Sequence, residues 1–98
     1  MQEKLNEPIS DWIVYMVECD DQSLYTGITN NLTKRFKQHC SARGAKYFYS
    51  RKPVKIVYAE AGFNRSSASK REFAIKRMER TEKLALIKTE LNKIASLL

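Results

Sequence analysis

The chain has 98 residues, enough for one domain built on a single core. Its hydrophobic fraction of 43% is ordinary for a globular protein, which argues against disorder over most of the length. The 18 Lys and Arg residues exceed the 11 Asp and Glu residues, so the formal net charge is +7. Such an excess favours a polyanionic partner, either nucleic acid or an anionic membrane face.

Two cysteines, Cys19 and Cys40, are too few for a disulfide scaffold, and with His39 they lack the paired spacing of a zinc site. We expect both cysteines to be small buried apolar residues. Residues 1–10 are polar, contain no secretory signal and are predicted to be a flexible terminus. No apolar run approaches the roughly 18 residues of a membrane span. These features predict a cytosolic protein without a membrane partner.

The first half of the chain predicts a strand, a tight turn, a second strand and a helix. Residues 12–19 are apolar on both faces, which is typical of a central strand that is covered on both sides. Residues 23–28 read as the return strand. If residues 20–22 form a three-residue loop, Tyr15 lies opposite Gly27 and on the same face of the sheet as Tyr25, whereas a two-residue loop separates the tyrosines. We predict the shared face, by a three-residue loop or a bulge.

The first helix is predicted to begin at the cap residues 29–31 and to reach about Ala42. Its apolar stripe is Leu32, Phe36 and Cys40. Arg35 and His39 are four residues apart, so they lie one above the other on the same edge. A loop over 41–53 follows, with Gly44 at its tip. Residues 53–60 predict a third strand, in which Val54, Ile56 and Tyr58 lie on one face.

Two more helices are predicted after the third strand. Residues 66–79 form the first, capped by Ser66 or Ser67, with an inward stripe of Ala74, Ile75 and Met78. The last covers 81–97 behind the N-cap Thr81, and its seam is Leu84, Ile87, Leu91, Ile94 and Leu98. We expect the seam to pack within the chain of a monomer, the alternative being a dimer through this helix. Residues 11–98 thus predict one domain of the α/β (α+β) class, a small three-stranded antiparallel sheet flanked by helices.

Two short motifs and four polar residues carry a resemblance to a known family. Val14-Tyr15-Met16 is followed ten residues later by Tyr25-Thr26-Gly27, and Glu72 lies on a later helix. Three more residues lie on or at the first helix: Asn31, Arg35 and His39. Over about residues 11–80 this pattern resembles the GIY-YIG nuclease domain, and the segment 44–47 is most similar to its small standalone bacterial members.

The chain departs from that family at four places. Its first motif reads Val-Tyr-Met, so Tyr15 alone matches in type, and Thr26 replaces Ile in the second. Ile28 stands where the repair-endonuclease relatives carry a lysine, and Leu84 where some relatives carry a polar residue. The chain therefore lacks one cationic and one polar contact that relatives make. This affects the expected cleavage rate and substrate affinity more than the class of reaction.

Phosphodiester hydrolysis needs an activated water and stabilisation of charge on the phosphoryl and leaving oxygens. The guanidinium of Arg35 fits a phosphate. Glu72 can hold Mg²⁺ or Mn²⁺ through one carboxylate, although it could instead close a capping box with Ser69. Water activation falls to Tyr15, Tyr25 or His39. Histidine, with a reference pKa of about 6.5, is better matched to neutral pH than tyrosine, with about 10.

The resemblance implies a one-metal hydrolysis with specific roles. Tyr15 is the base or positions the water, and Tyr25 positions the water or the phosphate. Arg35 grips the phosphate, and His39 is a base or a hydrogen-bond partner of a tyrosine. Glu72 is then the metal ligand.

Six residues are predicted to contact nucleic acid: Gly27, Asn31, Lys34, Lys46, Arg51 and Lys52. Asn31 is also suited to order the start of the first helix. The loop over 46–52 interleaves aromatic rings with cations, as single-strand binders do, or two of its rings fill the core beneath it.

The sequence therefore predicts a divalent-metal-dependent endonuclease that acts on DNA rather than RNA, in repair or on structured DNA. The alternative is a module that keeps the nuclease fold and binds nucleic acid without cutting it, which Ile28 and Leu84 favour. A third interpretation is a protein-interaction adaptor built on the last helix.

Overall fold

The computed structural model describes residues 11–42 and 45–97 of the chain. It contains three strands and four helices in these residues: β1 (Trp12–Cys19), β2 (Leu24–Thr29), α1 (Leu32–Cys40), β3 (Pro53–Phe63), α2 (Arg65–Lys76), α3 (Arg80–Ile87) and α4 (Ile94–Leu97). A 3₁₀ turn at Lys46–Tyr49 lies between α1 and β3. Among the described residues, no helix is both long enough and apolar enough to cross a membrane. The predictions for residues 1–10, Gly44 and Leu98 lie outside the described residues.

The sheet is antiparallel with strand order β2-β1-β3, so β1 is the central strand, as predicted. Its alternate side chains enter two separate apolar cores. The α2-side core consists of Val14, Met16, Tyr58, Ala68, Ile75 and Leu86. The α1-side core consists of Tyr15, Val17, Cys19, Leu32, Phe48 and Ala59. The predicted α+β class and the buried position of Cys19 are confirmed.

The turn between β1 and β2 has the predicted length of three residues. Cys19 N–H donates to Ser23 O (3.0 Å), and Gln22 N–H donates to Cys19 O (2.8 Å). Gln22 takes a left-handed conformation with φ of 69°, which suits a three-residue hairpin loop. The register that follows pairs Tyr15 with Gly27, and therefore places Tyr15 and Tyr25 on the same face.

The third strand is longer than predicted, and its side chains do not share one face. Val17 pairs with Ile56 while Met16 pairs with Tyr58, so β3 has one extra residue, Val57, at this point. Because such a bulge reverses the alternation, Ile56 faces the α1-side core and Tyr58 the α2-side core. Val54 is 55% exposed. The prediction that Val54, Ile56 and Tyr58 line one face is wrong.

Helix α1 ends at Cys40, two residues before the predicted end, and presents a different stripe. His39 is fully buried, whereas the Cys40 side chain is exposed. The prediction of Cys40 as a buried apolar residue is therefore wrong. The inward edge at this turn of the helix is taken by the His39 ring, which packs at 4.3 Å (ring centroids) on Phe48.

Helix α2 is capped by Asn64, not by Ser66 or Ser67. The Asn64 side chain accepts from Ser67 N–H (2.9 Å), and Ser67 Oγ accepts from Asn64 N–H (3.1 Å), which completes a capping box. The helix starts one residue earlier and ends three residues earlier than predicted. Of the predicted inward stripe, Ile75 is buried and Met78 packs on the α2-side core, as predicted, but Ala74 is exposed and Ala68 faces the core instead.

The predicted helix over 81–97 is interrupted, and its start is capped by Glu79, not by Thr81. Ile87 packs against the α2-side core, but Ile94 and Leu97 pack against the α1-side core. A continuous helix cannot serve both faces of the sheet, so residues 88–93 carry the chain around its β3 edge. There Asn92 binds Ala59 N–H and Val57 O of β3 through its side-chain amide (3.2 and 2.9 Å). The predicted helical seam therefore does not form.

Candidate active site

The first pair of the candidate site joins the central strand to the first helix. Tyr15 Oη and His39 Nε2 are 2.7 Å apart, and both side chains are buried. Strand β1 holds Tyr15 on the α1-side face, and α1 turns His39 inward against it. His39 was predicted to be either a base or a hydrogen-bond partner of a tyrosine, and the structure contains this hydrogen bond.

Aromatic rings surround this pair. The Tyr25 ring lies 6.3 Å from that of Tyr15 and 5.2 Å from that of His39, measured between centroids. Phe48 packs on both His39 (4.3 Å) and Tyr25 (4.9 Å). The sequence predicts Phe48 only as part of a loop, and the aromatic residues on either side of it give no sign of which ring is buried. The rings restrict the orientation of His39, which is what a fixed hydrogen bond to Tyr15 requires.

Gly27 provides the space for the Tyr15 hydroxyl. A Cβ atom at position 27 would lie 2.6 Å from Tyr15 Oη and 2.8 Å from its Cζ. Real Cβ atoms essentially never approach other heavy atoms so closely. Gly27 itself is buried, and what the structure shows of it is this close packing against Tyr15; its contact with nucleic acid stays a prediction.

Arg35 and Glu72 complete the set of predicted catalytic residues. The charge of Arg35 on α1 lowers the pKa of Tyr15, and that of Glu72 on α2 raises it, Glu72 having the smallest effect of the five causes. Arg35 Nη1 donates to Gln38 Oε1 (2.9 Å), a contact that fixes the guanidinium and that the spacing of three residues could have indicated. Glu72 Oε2 pairs with Lys76 Nζ (3.1 Å). It lies in the middle of α2 and forms no capping box with Ser69.

The pKa of Tyr15 is raised well above its ordinary value. Burial is the largest cause, followed by repulsion from Tyr25, and Arg35 opposes both. Tyr15 is therefore protonated at neutral pH, so a role as general base would require further positive charge nearby.

The pKa of His39 is lowered to about 4, first by burial and then by the charge of Arg35. The expectation that His39 is well matched to proton transfer at pH 7 rested on its reference pKa of about 6.5, and the structure contradicts it. At neutral pH, His39 is uncharged and acts as a hydrogen-bonding group.

We expect the lowered pKa of His39 to make the fold sensitive to acid. Between pH 6.5 and 4 the unfolded chain binds a proton at His39 that the folded chain does not, so the free energy of unfolding falls as the pH falls through this range. The loss is roughly 2–3 kcal/mol, from about 1.4 kcal/mol per pKa unit. Urea unfolding at several pH values measures it. His39→Gln keeps a side-chain amide near Tyr15 but does not titrate, and its stability should depend less on pH; an equal dependence in both proteins would contradict this account.

Two of the predicted nucleic-acid contacts adjoin Arg35. A cavity of about 190 Å³ is lined by Thr29, Asn30, Asn31, Lys34, Arg35 and Gln38. Asn31 caps α1, because its side chain accepts a hydrogen bond from Lys34 N–H (3.1 Å). This is the predicted role of Asn31 in ordering the start of the helix. This recess brings two cations, Lys34 and Arg35, to the start of the helix, as binding of a phosphate would need.

The other predicted contacts lie elsewhere. Arg51 pairs with Asp21 (Nε to Oδ2, 3.0 Å) and stacks on Tyr47 at 4.2 Å, so its charge is already partnered. Lys52 and Lys46 are exposed. Of the loop's three rings, Phe48 is buried, Tyr47 packs on the α1-side core and Tyr49 is 71% exposed. Two of the three rings thus fill the core, which was the alternative to nucleic-acid binding predicted for this loop.

The carboxylate of Glu72, which pairs with Lys76, is a donor of the type that a hard divalent ion prefers. Within residues 11–42 and 45–97, no three His, Cys, Asp or Glu side chains cluster as a metal site. Glu72 would therefore contribute a single carboxylate. That donor set fits Mg²⁺ or Mn²⁺, since Mg²⁺ is usually held by one or two carboxylates together with water and substrate phosphate.

Known proteins resemble this chain in sequence and in fold. A family model described as the GIY-YIG catalytic domain matches residues 11–85. A UPF0213 protein of Desulfotalea psychrophila is 53% identical over 78 residues, which cover 79% of this chain and 71% of that protein. One of Clostridium perfringens is 51% identical over 77 residues, covering 79% and 83%. The solution NMR structure of the UPF0213 protein BH0048 from Bacillus halodurans superimposes with a TM-score of 0.53 at 32% identity, covering 88% of this chain and 92% of that one.

Proposed function

Because the chain belongs to the GIY-YIG family, we propose that it is a divalent-metal-dependent endonuclease that hydrolyses phosphodiester bonds in DNA. The net charge of +7 supports a polyanionic substrate. DNA that is branched, or single-stranded in part, is the proposed target, in repair or in processing of structured DNA.

The observation that carries this proposal is the convergence on the Tyr15 hydroxyl. Two helices bring polar groups to it: α1 carries His39, which forms the 2.7 Å hydrogen bond, and Arg35, and α2 carries Glu72, and the last two act on its pKa. A purely structural tyrosine in a sheet would need only one hydrogen-bond partner. A buried hydroxyl bonded to a histidine, with a guanidinium and a carboxylate whose charges act on its pKa, combines groups that hydrolysis of a phosphodiester can use.

The hydrogen bonds of His39 indicate its tautomer and its role in the site. Its Nδ1 is buried and has no partner among the described residues. A buried ring N–H without an acceptor costs more than a bare ring nitrogen, so we infer that the proton is on Nε2 and is donated to Tyr15 Oη. His39 is then a positioning residue, which holds the phenol oxygen in place and leaves the phenolic proton of Tyr15 free for another acceptor.

The remaining groups divide the reaction between them. Arg35 neutralises the phosphoryl oxygens in the recess it shares with Lys34, and Tyr15 and Tyr25 orient the attacking water. The raised pKa of Tyr15 favours this positioning role over that of general base. Glu72 would hold the divalent ion. When bound, Mg²⁺ or Mn²⁺ supplies charge neutralisation at the phosphate and a more acidic water.

A cleavage assay tests the proposal. Single-stranded, duplex, flap and splayed-arm DNA are incubated with the protein, with and without Mg²⁺ or Mn²⁺. We expect metal-dependent products from the wild type and from Glu90→Ala, which removes an exposed carboxylate from the turn between α3 and α4, and none from Glu72→Ala. Equal cutting by all three preparations would reject Glu72 as the ligand and point to a contaminating nuclease.

A non-catalytic binding module is the second candidate. Ile28 packs against the α2-side core where the repair-endonuclease relatives carry a lysine, and Leu84 is 39% exposed where some carry a polar group. Such a module would bind DNA in a salt-sensitive manner without metal-dependent products in the same assay.

A further inference from the structure

The outward face of α2 carries an exposed aromatic ring beside the candidate site. Phe73 directly follows Glu72 in the helix, and it is 61% exposed. Its neighbours Ile75 and Ala68 supply the packing of α2 against the sheet, so Phe73 is not needed for the core. A large exposed ring next to a proposed metal ligand is a candidate contact for a bound molecule.

The cations around Phe73 indicate the charge of that partner. Arg77 lies over the Phe73 ring at 5.3 Å from its centroid, and Lys70 lies three residues before Phe73 on the same side of the helix. Neither Lys70 nor Arg77 forms an ion pair with another described residue. The two other cations of this region are engaged, since Arg71 pairs with Glu60 and Lys76 with Glu72.

The spacing of these groups matches a nucleic-acid strand. Lys70 and Arg77 are seven residues apart, which is about 10 Å along the helix axis. One strand of double-helical DNA carries a phosphate about every 3.4 Å of axis, so a span of about 10 Å includes the phosphates on both sides of one nucleotide. A ring between two cations is the arrangement with which single-strand binders stack a base and contact the phosphates beside it.

We propose that Lys70, Phe73 and Arg77 bind an unpaired nucleotide next to the bond that is cut. The base stacks on Phe73, and the two cations contact the flanking phosphates. The inference rests on the proposed function, and it deepens it: the substrate is DNA with a single-stranded segment at the cleavage position. A fully paired duplex offers no free base to Phe73.

Binding measured without divalent metal tests this surface apart from catalysis. Fluorescence anisotropy with a chelator present follows the wild type, Phe73→Ala and Phe73→Trp on a labelled single strand and on a blunt duplex of equal length. We expect Phe73→Ala to weaken single-strand binding about tenfold and duplex binding much less, because one stacked base is lost. Phe73→Trp should bind like the wild type. Leu91→Ala, which removes another exposed apolar side chain (50% exposed), is the control and should change neither.

The outcomes separate the two proposals. Unchanged single-strand binding by Phe73→Ala, or an equal loss on single strand and duplex, overturns the stacking surface whatever the cleavage assay shows. A selective loss in a protein that gives no metal-dependent products supports the surface and rejects the nuclease activity. Circular dichroism on each variant checks that the fold is intact, which the exposure of Phe73 leads us to expect.

Discussion

Replacing Arg35 by alanine is expected to reduce the cleavage rate by about 10²–10³, the usual loss when one preorganised donor to a developing negative charge is removed. Arg35 lies with Lys34 in the recess at the start of α1, and its charge also acts on Tyr15. The substitution removes both effects at once. Single-turnover kinetics at saturating protein measure the rate, so that a change in DNA affinity does not enter.

Lys37→Ala is the matched control for this substitution. Lys37 is an exposed cation on the same helix, and it lines a different cavity with Phe36 and Val54. It should leave the single-turnover rate within about twofold, since it removes a charge without touching the phosphate recess. Arg35→Lys should recover only part of the activity, because an ammonium lacks the fork of a guanidinium. Equal rates for Arg35→Ala and Lys37→Ala would contradict the role given to Arg35.

Gly27→Ala is expected to lower the rate by about 10², because the new methyl group would clash with the Tyr15 hydroxyl. The methyl carbon would lie 2.6 Å from Tyr15 Oη and 3.0 Å from Tyr25 Cε2. The phenol must move by about 1 Å and lose its hydrogen bond to His39, and a shift of that size in a catalytic group costs about this factor. Single-turnover kinetics again measure the effect.

Gly62→Ala separates this steric effect from a general effect of removing a glycine. Gly62 has φ of 94° and no atom near its missing Cβ, so alanine there is strained but displaces nothing. We expect a loss of about 1–2 kcal/mol in the free energy of unfolding and an unchanged cleavage rate. Wild-type cleavage by Gly27→Ala would show that the Tyr15 hydroxyl need not be fixed in place.

The part of the fold that sequence predicts well is the part governed by local patterns. The alternation of side chains in residues 12–19 specifies two covered faces, and three turn residues then determine the register. Those two facts suffice to place Tyr15 opposite Gly27. The spacing of Arg35 and His39 by one helical turn likewise orients both toward the same side. The convergence of the candidate site follows from short-range geometry together with the family resemblance.

What the sequence could not reveal depends on contacts between distant segments. The bulge at Val57 arises in the pairing of β3 with β1, and it reverses the face of Tyr58. The break after Ile87 depends on Asn92 binding the β3 edge, about 35 residues earlier in the chain. The low pKa of His39 requires its complete burial, which the helical stripe through Cys40 did not predict.

The most direct test of the central claim compares Tyr15→Phe with Tyr58→Phe. Both tyrosines are buried in the sheet with a side-chain hydrogen bond, Tyr15 with His39 and Tyr58 to Glu60, but they face opposite cores. Each substitution removes one hydroxyl and its hydrogen bond, so we expect a loss of about 1 kcal/mol for Tyr15→Phe and about 1.5–3 kcal/mol for Tyr58→Phe, whose bond is to a carboxylate. In single-turnover cleavage with Mg²⁺, we predict a loss of at least about 10² for Tyr15→Phe and a wild-type rate for Tyr58→Phe. Wild-type cleavage by Tyr15→Phe would contradict the assignment of this hydroxyl as the centre of the site.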